Sequence, residues 1–355
     1  MKRVLLVALV AALAPFVPPT FAGSATRAAS ATSEARAAIG IGGQQPGIAF
    51  ESPAKRNHDL DVIAAAGMTW VRADFYWSVI QEAGRSSFAW GPVDGFVQAA
   101  TARGLHVLAL VAYSPAWARN SKNDMAPPKD PHDYATFVHA AAKRYAPMGV
   151  HAWEIWNEPN LSRFWAPKAD PAAYAALLKL AYPAIKSADP QATVVSAGLS
   201  PSLNTRSDLS PLAFLADVYL HGGKGSFDAV GYHPYSYPYA PMFKASWNTF
   251  YRTPDFHAIM AMFGDGAKKV WGTEVGYPTG TSSQAVSDQR QAANLVAAIN
   301  QWRAWTFTGP LIVFTVRDAS GNASAVDDNM GMLRVNGVTK PAFAAIRGAL
   351  HGRSS

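Results

Sequence analysis

The chain has 355 residues, 49% of them hydrophobic and 15% charged, with a formal charge of +7 and no cysteine. That describes a globular chain long enough to bury a full core, and it excludes disulfides, thiolate metal sites and a cysteine nucleophile. The basic residues are scattered, so nucleic acid is not an expected partner; the charge suits general solubility, with an anionic polysaccharide or envelope surface as the sharper alternative.

Lys2-Arg3, an apolar run over 4–17 and a small-residue stretch over 18–25 predict a signal peptide at 1–25, cut after Ala22 or Ala25. A secreted or periplasmic protein follows. The run is shorter than the roughly 20 residues of a membrane span, so no stable span is expected. Residues 26–38, rich in Ala, Ser, Thr and Arg, read as a flexible lead-in. One catalytic domain is expected over 39–352.

From there strand-like and helix-like segments alternate. Strands are predicted at 38–42, 70–74, 106–112, 151–156, 193–197, 227–231, 269–273 and 311–316. Most are almost continuously apolar, as strands covered on both faces are. Between them, Asp130-Pro131, Asp170-Pro171, Ser210-Pro211 and Thr253-Pro254 each couple a capping side chain to a proline at the first helical position. Tyr134, Phe137, Val138, Ala141 and Tyr145 fall three or four apart and predict one buried helical stripe. Tyr174, Leu177, Leu178, Ala181 and Ile185 predict another. Gly67, Gly104 and Gly222 are placed to close helices. Eight strands with helices between them predict an α/β fold, a single-domain (β/α)8 TIM barrel. An open doubly wound sheet competes, but Gly40-Ile41-Gly42-Gly43 lacks the spacing of a dinucleotide-binding turn.

In such barrels the working residues sit at the C-terminal ends of the strands. Trp153-Glu154-Ile155-Trp156-Asn157-Glu158-Pro159 places Glu158 at the tip of the fourth strand, and Trp271-Gly272-Thr273-Glu274 places Glu274 at the tip of the seventh. Two carboxyl groups facing one cavity are the apparatus for cleaving a glycosidic bond. A lone Glu is ordinarily a solvated side chain; two in matching strand-end contexts are not. Glu154 is expected to point into the barrel and pair with Arg72 or another inward cation. Aromatic residues crowd the expected mouth, namely Trp77, Tyr113, Trp117, Trp165, Tyr232, Tyr235, Tyr237 and Tyr277, and flat rings suit the C–H faces of sugars. Trp117 and Tyr235 stand out because each lies just past a strand in a proline-containing loop. The histidines are dispersed, with no His-x-His pair after the first strand, so neither a metal nor a cofactor is expected.

These motifs resemble the retaining β-glycosidases of clan A, with family 39 and family 5 members nearest, over almost the whole mature chain. Gly231-Tyr232-His233-Pro234-Tyr235, Gly331-Met332-Leu333 and Lys340-Pro341-Ala342-Phe343 extend the likeness. The resemblance implies that Glu274 is the nucleophile and Glu158 the acid/base. It places Arg72 and Tyr235 beside the nucleophile, Asn157 on a sugar 2-hydroxyl and His233 near the carboxylates. One departure is that many relatives carry a tryptophan at the end of strand eight, where this chain has Phe314. The expected activity is endo-acting, retaining hydrolysis of an oligo- or polysaccharide by a monomer. The alternatives are an exo-acting, xylosidase-like enzyme, a slow barrel kept for binding glycan in an envelope assembly, and a metal hydrolase on the same fold.

Overall fold

The computed structural model describes residues 39–351. The signal peptide expected at 1–25 and the lead-in at 26–38 lie outside the described residues. Eight strands alternate with eight principal helices in the order β1 (Ile41–Gln44), α1 (Pro53–Ala65), β2 (Trp70–Tyr76), α2 (Gly91–Thr101), β3 (His106–Ala112), α3 (Pro131–Tyr145), β4 (Ala152–Asn157) and α4 (Pro171–Ala188). The second half continues with β5 (Thr193–Gly198), α5 (Pro211–Leu220), β6 (Ala229–Tyr232), α6 (Thr253–Met262), β7 (Lys269–Val275), α7 (Asp288–Ala304), β8 (Thr308–Phe314) and α8 (Pro341–His351). Every neighbouring pair is parallel, and β8 closes on β1. The expected single-domain (β/α)8 barrel is the observed one.

Local chemistry accounts for most of the element boundaries. β3 falls on its predicted residues, while β2 and β7 each run two residues further toward the mouth. β8 begins three residues earlier than expected, passing through Gly309-Pro310, a pair that reads as a breaker from sequence. Asp130, Asp170 and Ser210 cap their helices as expected, accepting the N–H of His132 at 3.0 Å, Ala173 at 2.9 Å and Ala213 at 3.3 Å. Thr253 does not. It is the first residue inside α6, and its hydroxyl turns back to the Phe250 carbonyl at 2.8 Å, leaving Arg252 at the cap without a side-chain bond. Gly67, Gly104 and Gly222 take φ of +79°, +69° and +76° just past α1, α2 and α5, a left-handed geometry that favours glycine.

The two predicted stripes of α3 and α4 are buried against the outside of the barrel. Inside it, Trp70, Leu108, Ala152, Val195, Ala229 and Trp271 pack together toward the N-terminal end. Strand residues two apart share a face. The next inward residues on β2 and β4 are therefore Arg72 and Glu154, and the next on β2 is Asp74. The barrel thus changes from apolar to charged as it approaches its mouth.

Candidate active site

Arg72 organises the mouth. Its guanidinium is fully buried. It donates from Nε to Glu154 at 2.6 Å and from Nη2 to Glu154 at 3.2 Å and Asn157 at 2.9 Å. Nη1 donates to Gln44 at 2.8 Å and Glu274 at 2.5 Å. The β1–β2 register sets Gln44 directly beside Arg72. Burial alone would depress the Arg72 guanidinium, but Glu154 and then Glu274 carry it above its ordinary value. A buried charge of this kind persists only when fully paired, and this one is.

Glu274 lies near the end of β7, where the pairing with β8 slips on either side of Gly272. Such irregularities re-aim side chains. One Glu274 oxygen takes the Arg72 bond and the other accepts the Tyr235 hydroxyl at 2.8 Å. Burial, followed by the Glu274 charge, pushes the Tyr235 phenol well above its ordinary value, so it remains an O–H donor.

Glu158 follows β4 at φ +47°, with Trp156 at +72° and Tyr113, after β3, at +66°. Side chains in this region cost roughly 1–3 kcal/mol each and collect at functional sites. Packing holds them. Trp156 donates to the Phe164 carbonyl at 2.7 Å and meets Trp165 edge-on at 5.3 Å, while the Glu158 N–H is taken by the Gly198 carbonyl at 3.1 Å. Glu158 Oε1 accepts from His233 Nδ1 at 2.8 Å, and the same nitrogen is 3.7 Å from Glu274 Oε2. Burial alone would depress the His233 imidazole; the Glu274 charge and the bond to Glu158 raise it above its ordinary value. Its other nitrogen, Nε2, is buried without a protein partner, as is Thr273 Oγ1, and both lie over Gly198.

Glu158, His233 and Glu274 each direct one atom to a common point, the three lying within 4.8 Å of one another. By chemistry this trio could ligate a cation. Arg72 and Tyr235 already occupy both Glu274 oxygens, which leaves that carboxylate poorly placed to hold a metal.

These groups open into a cleft of about 460 Å3 to which all eight strand ends, or the loops that follow them, contribute. Asn157, Glu158, Tyr235 and Glu274 line it, while Arg72 and His233 sit fully buried in contact with those side chains. Trp117 stands apart from this group. Its indole donates to the Gln81 carbonyl at 2.7 Å, meets Trp77 edge-on at 5.8 Å and is covered by Arg85 at 5.2 Å, outside the cleft. The chain turns it toward the loop after β2, not the mouth. Of the other aromatics expected there, Tyr113, Tyr235 and Tyr237 line the cleft, whereas Trp77, Trp165, Tyr232 and Tyr277 are buried core. Phe314 lines it too.

The sequence reading missed Asp74, Tyr76, Arg163 and Asp327, all of which line the cleft. Alternation along β2 from Arg72 reaches Asp74 and Tyr76, so that signal was present. Asp74 accepts the Gly47 N–H at 2.8 Å, and burial raises its carboxyl above the ordinary value. Burial likewise raises Asp327, with Glu158 and Glu274 adding to it against the pull of Arg163. Asp327 and Arg163 arrive on the loops after β8 and β4, whose reach no local pattern encodes.

A closed (β/α)8 barrel with two strand-end glutamates converging at its mouth defines the clan A glycoside hydrolases. The sequence profile of the cellulase family, glycosyl hydrolase family 5, matches residues 39–339, and the chain belongs to that family. No curated protein is significantly similar to this chain in sequence. Among solved structures it is similar to a family 39 glycoside hydrolase from the gut symbiont Bacteroides cellulosilyticus WH2, with TM-score 0.70 and 23% identity over 90% of this chain and 65% of that one. It is similar also to a family 5 subfamily 18 variant from Streptomyces cattleya in complex with Manβ1-4GlcNAc, with TM-score 0.68 and 17% identity over 89% of this chain and 81% of that one. A third likeness is to xylanase 10B from Thermotoga maritima, with TM-score 0.62 and 14% identity over 91% and 98%. At these identities the likeness is one of fold, and the chain spans 65% of the length of the family 39 enzyme, less than two-thirds of it.

Proposed function

We propose that the chain is a retaining β-glycoside hydrolase that cleaves O-glycosidic bonds inside an oligo- or polysaccharide by double displacement. The observation carrying this reading is the closeness of the two carboxylates. One oxygen of Glu158 and one of Glu274 lie within 4.8 Å of each other. Retaining enzymes hold their carboxyl groups about 5–5.5 Å apart, whereas inverting ones leave about 6.5–9.5 Å for a water. Glu274, held by Arg72 and Tyr235, attacks the anomeric carbon as the bond to the leaving oxygen breaks and Glu158 gives that oxygen its proton. Water then attacks the same carbon, gives a proton to Glu158 and frees Glu274. His233 positions Glu158. The Asn157 amide, steered by Arg72, is placed for the 2-hydroxyl of the reacting sugar.

Asp74 and Asp327 outweigh Arg163 on the cleft wall, which supports an uncharged sugar over a uronate. Backbones of the kinds named for the fold relatives, mannose-containing β-1,4 glycans and xylan, are the first substrates to assay. Incubation with a 2-deoxy-2-fluoro glycoside followed by peptide mass spectrometry tests the scheme. Label on Glu274 supports it; inverted product by NMR, or label elsewhere, refutes it. Endo action is read from viscosity falling ahead of reducing-end release. We also propose export through residues 1–25, tested by sequencing the N-terminus of the secreted protein.

A further inference from the structure

We infer that the loop between β6 and α6 carries a second glycan-binding surface, which holds the polysaccharide chain beyond the catalytic cleft. The inference rests on the glycosidase reading above. The loop starts at His233 and Tyr235, in contact with Glu158 and Glu274. It continues through Tyr237 on the cleft wall and then presents Tyr239, Phe243 and Trp247 to solvent, each 42–45% exposed. Their rings form one cluster, with Tyr239 stacked on Phe243 at 4.2 Å and Trp247 tilted against both, 5.5 Å from Tyr239 and 6.2 Å from Phe243.

Large aromatics left together in water mark a binding surface, provided the backbone beneath holds them there. This backbone does. Asn248 is buried and donates to the carbonyls of Pro241 at 3.0 Å and Phe243 at 2.7 Å while accepting the Tyr251 N–H at 3.1 Å. Thr249 donates to the carbonyls of His233 at 3.1 Å and Tyr235 at 2.9 Å, pinning the stretch beside Trp247 to the catalytic end of the same loop.

Beside Trp247 lies a groove of about 260 Å3 whose polar lining is mostly uncharged, with Ser202, Asn204 and Ser246 among it. Its one cation, Arg252, is paired with Asp255. Flat rings beside hydroxyl and amide groups match a neutral pyranose chain, whose faces stack and whose edges hydrogen-bond. The occupant is the substrate glycan because the same two loops line the cleft and the groove. Ser200 and Pro201 line the cleft and Ser202 to Asn204 the groove; Tyr235 and Tyr237 line the cleft and Trp247 the groove. The groove is below the usual size of an independent small-molecule site, about 300 Å3 or more, and suits an extension of one already held.

Native affinity gels test this with a mixed-linkage β-glucan, a glucomannan and a xylan, using Glu274→Gln protein so that the gel is not digested. At least one glycan should retard the protein, and Trp247→Ala should raise its apparent Kd about tenfold, with Trp247→Phe recovering much of the loss. In protein retaining Glu274, Trp247→Ala should lower the ratio of kcat/KM on that polysaccharide to kcat/KM on its aryl glycoside by a similar factor. Unchanged retardation, an unchanged ratio, or aryl activity falling in step with retardation overturns the inference. Aryl glycoside hydrolysis by a protein that no glycan retards also overturns it, and leaves the proposed function standing. Trp247-dependent retardation without hydrolysis of any glycoside supports the surface and sinks the function instead.

Discussion

A methyl group on Gly198 would stand 2.1 Å from His233 Nε2 and 2.3 Å from Thr273 Oγ1, where ordinary contact begins near 3.4 Å. Gly198→Ala therefore forces the imidazole, or the backbone of β5, back by more than about 1 Å. The ring has little room to yield, because its other nitrogen is bonded to Glu158 and faces Glu274. Either Glu158 moves with it or their bond breaks. A misplacement of about 1 Å in the reacting geometry costs roughly 100-fold in rate. Overpacking costs about 1–3 kcal/mol of stability, small enough to leave the barrel folded. The assay is kcat/KM on two aryl β-glycosides, one with a poor and one with an activated leaving group, beside a thermal melt. The expected result is a loss near 100-fold on the poor leaving group, a smaller loss on the activated one and a lowered but cooperative transition. Activity within about threefold of the parent on both substrates would show that His233 does not set the position of Glu158.

Glu158→Ala should depress hydrolysis of unactivated glycosides by orders of magnitude more than that of 2,4-dinitrophenyl glycosides, which leave without a proton; equal losses would remove its acid role. Glu154→Gln must turn its amide N–H toward a donor, either Arg72 Nε or the pair Arg72 Nη2 and Gly198 N–H, and leaves the guanidinium with Glu274 as its sole carboxylate partner. Urea unfolding should show a loss of about 3 kcal/mol, and a midpoint shift worth under about 0.5 kcal/mol would contradict the buried pair. His233 is raised in the folded protein above its unfolded value of 6.5, so its charged form stabilises the fold fully below pH 6.5, and that contribution fades as pH climbs through the raised value. The stability gap between the parent and His233→Gln should accordingly be wider at pH 6 than at pH 9, and a constant gap would refute the pairing of the imidazolium with the two carboxylates.

What the sequence disclosed was what short-range chemistry writes into it. Asp130, Asp170 and Ser210 cap helices because each bond closes within three residues, and the α3 and α4 stripes follow from a single period. Glu158 and Glu274 were legible because each strand and its corner adjoin in the chain. Arg72 could be paired with Glu154 since both lie at inward positions of buried strands. Boundaries set by neighbours were harder. β8 runs through Gly309-Pro310 because β1 and β7 pair with it, and Thr253 gives up its capping position to a turn fixed by Phe250. Trp117 and Trp165 carry the same composition signal as Tyr113 and Tyr237, yet the first two pack inward or aside. Which way a loop aromatic faces is decided by the loops beside it. Asp327 reaches the cleft from the long segment after β8 and depends on that segment's whole course.

The five bonds from the Arg72 side chain reach into β1, β4 and β7, segments spread over more than 200 residues of the chain. Positions 44, 72, 154, 157 and 274 consequently answer to one another during divergence. A change at any of them takes a partner from the buried Arg72 guanidinium, so drift there is constrained to be concerted. The loops above carry no such obligation. New sugar preferences can be tried at the rim while the chemistry underneath stays still.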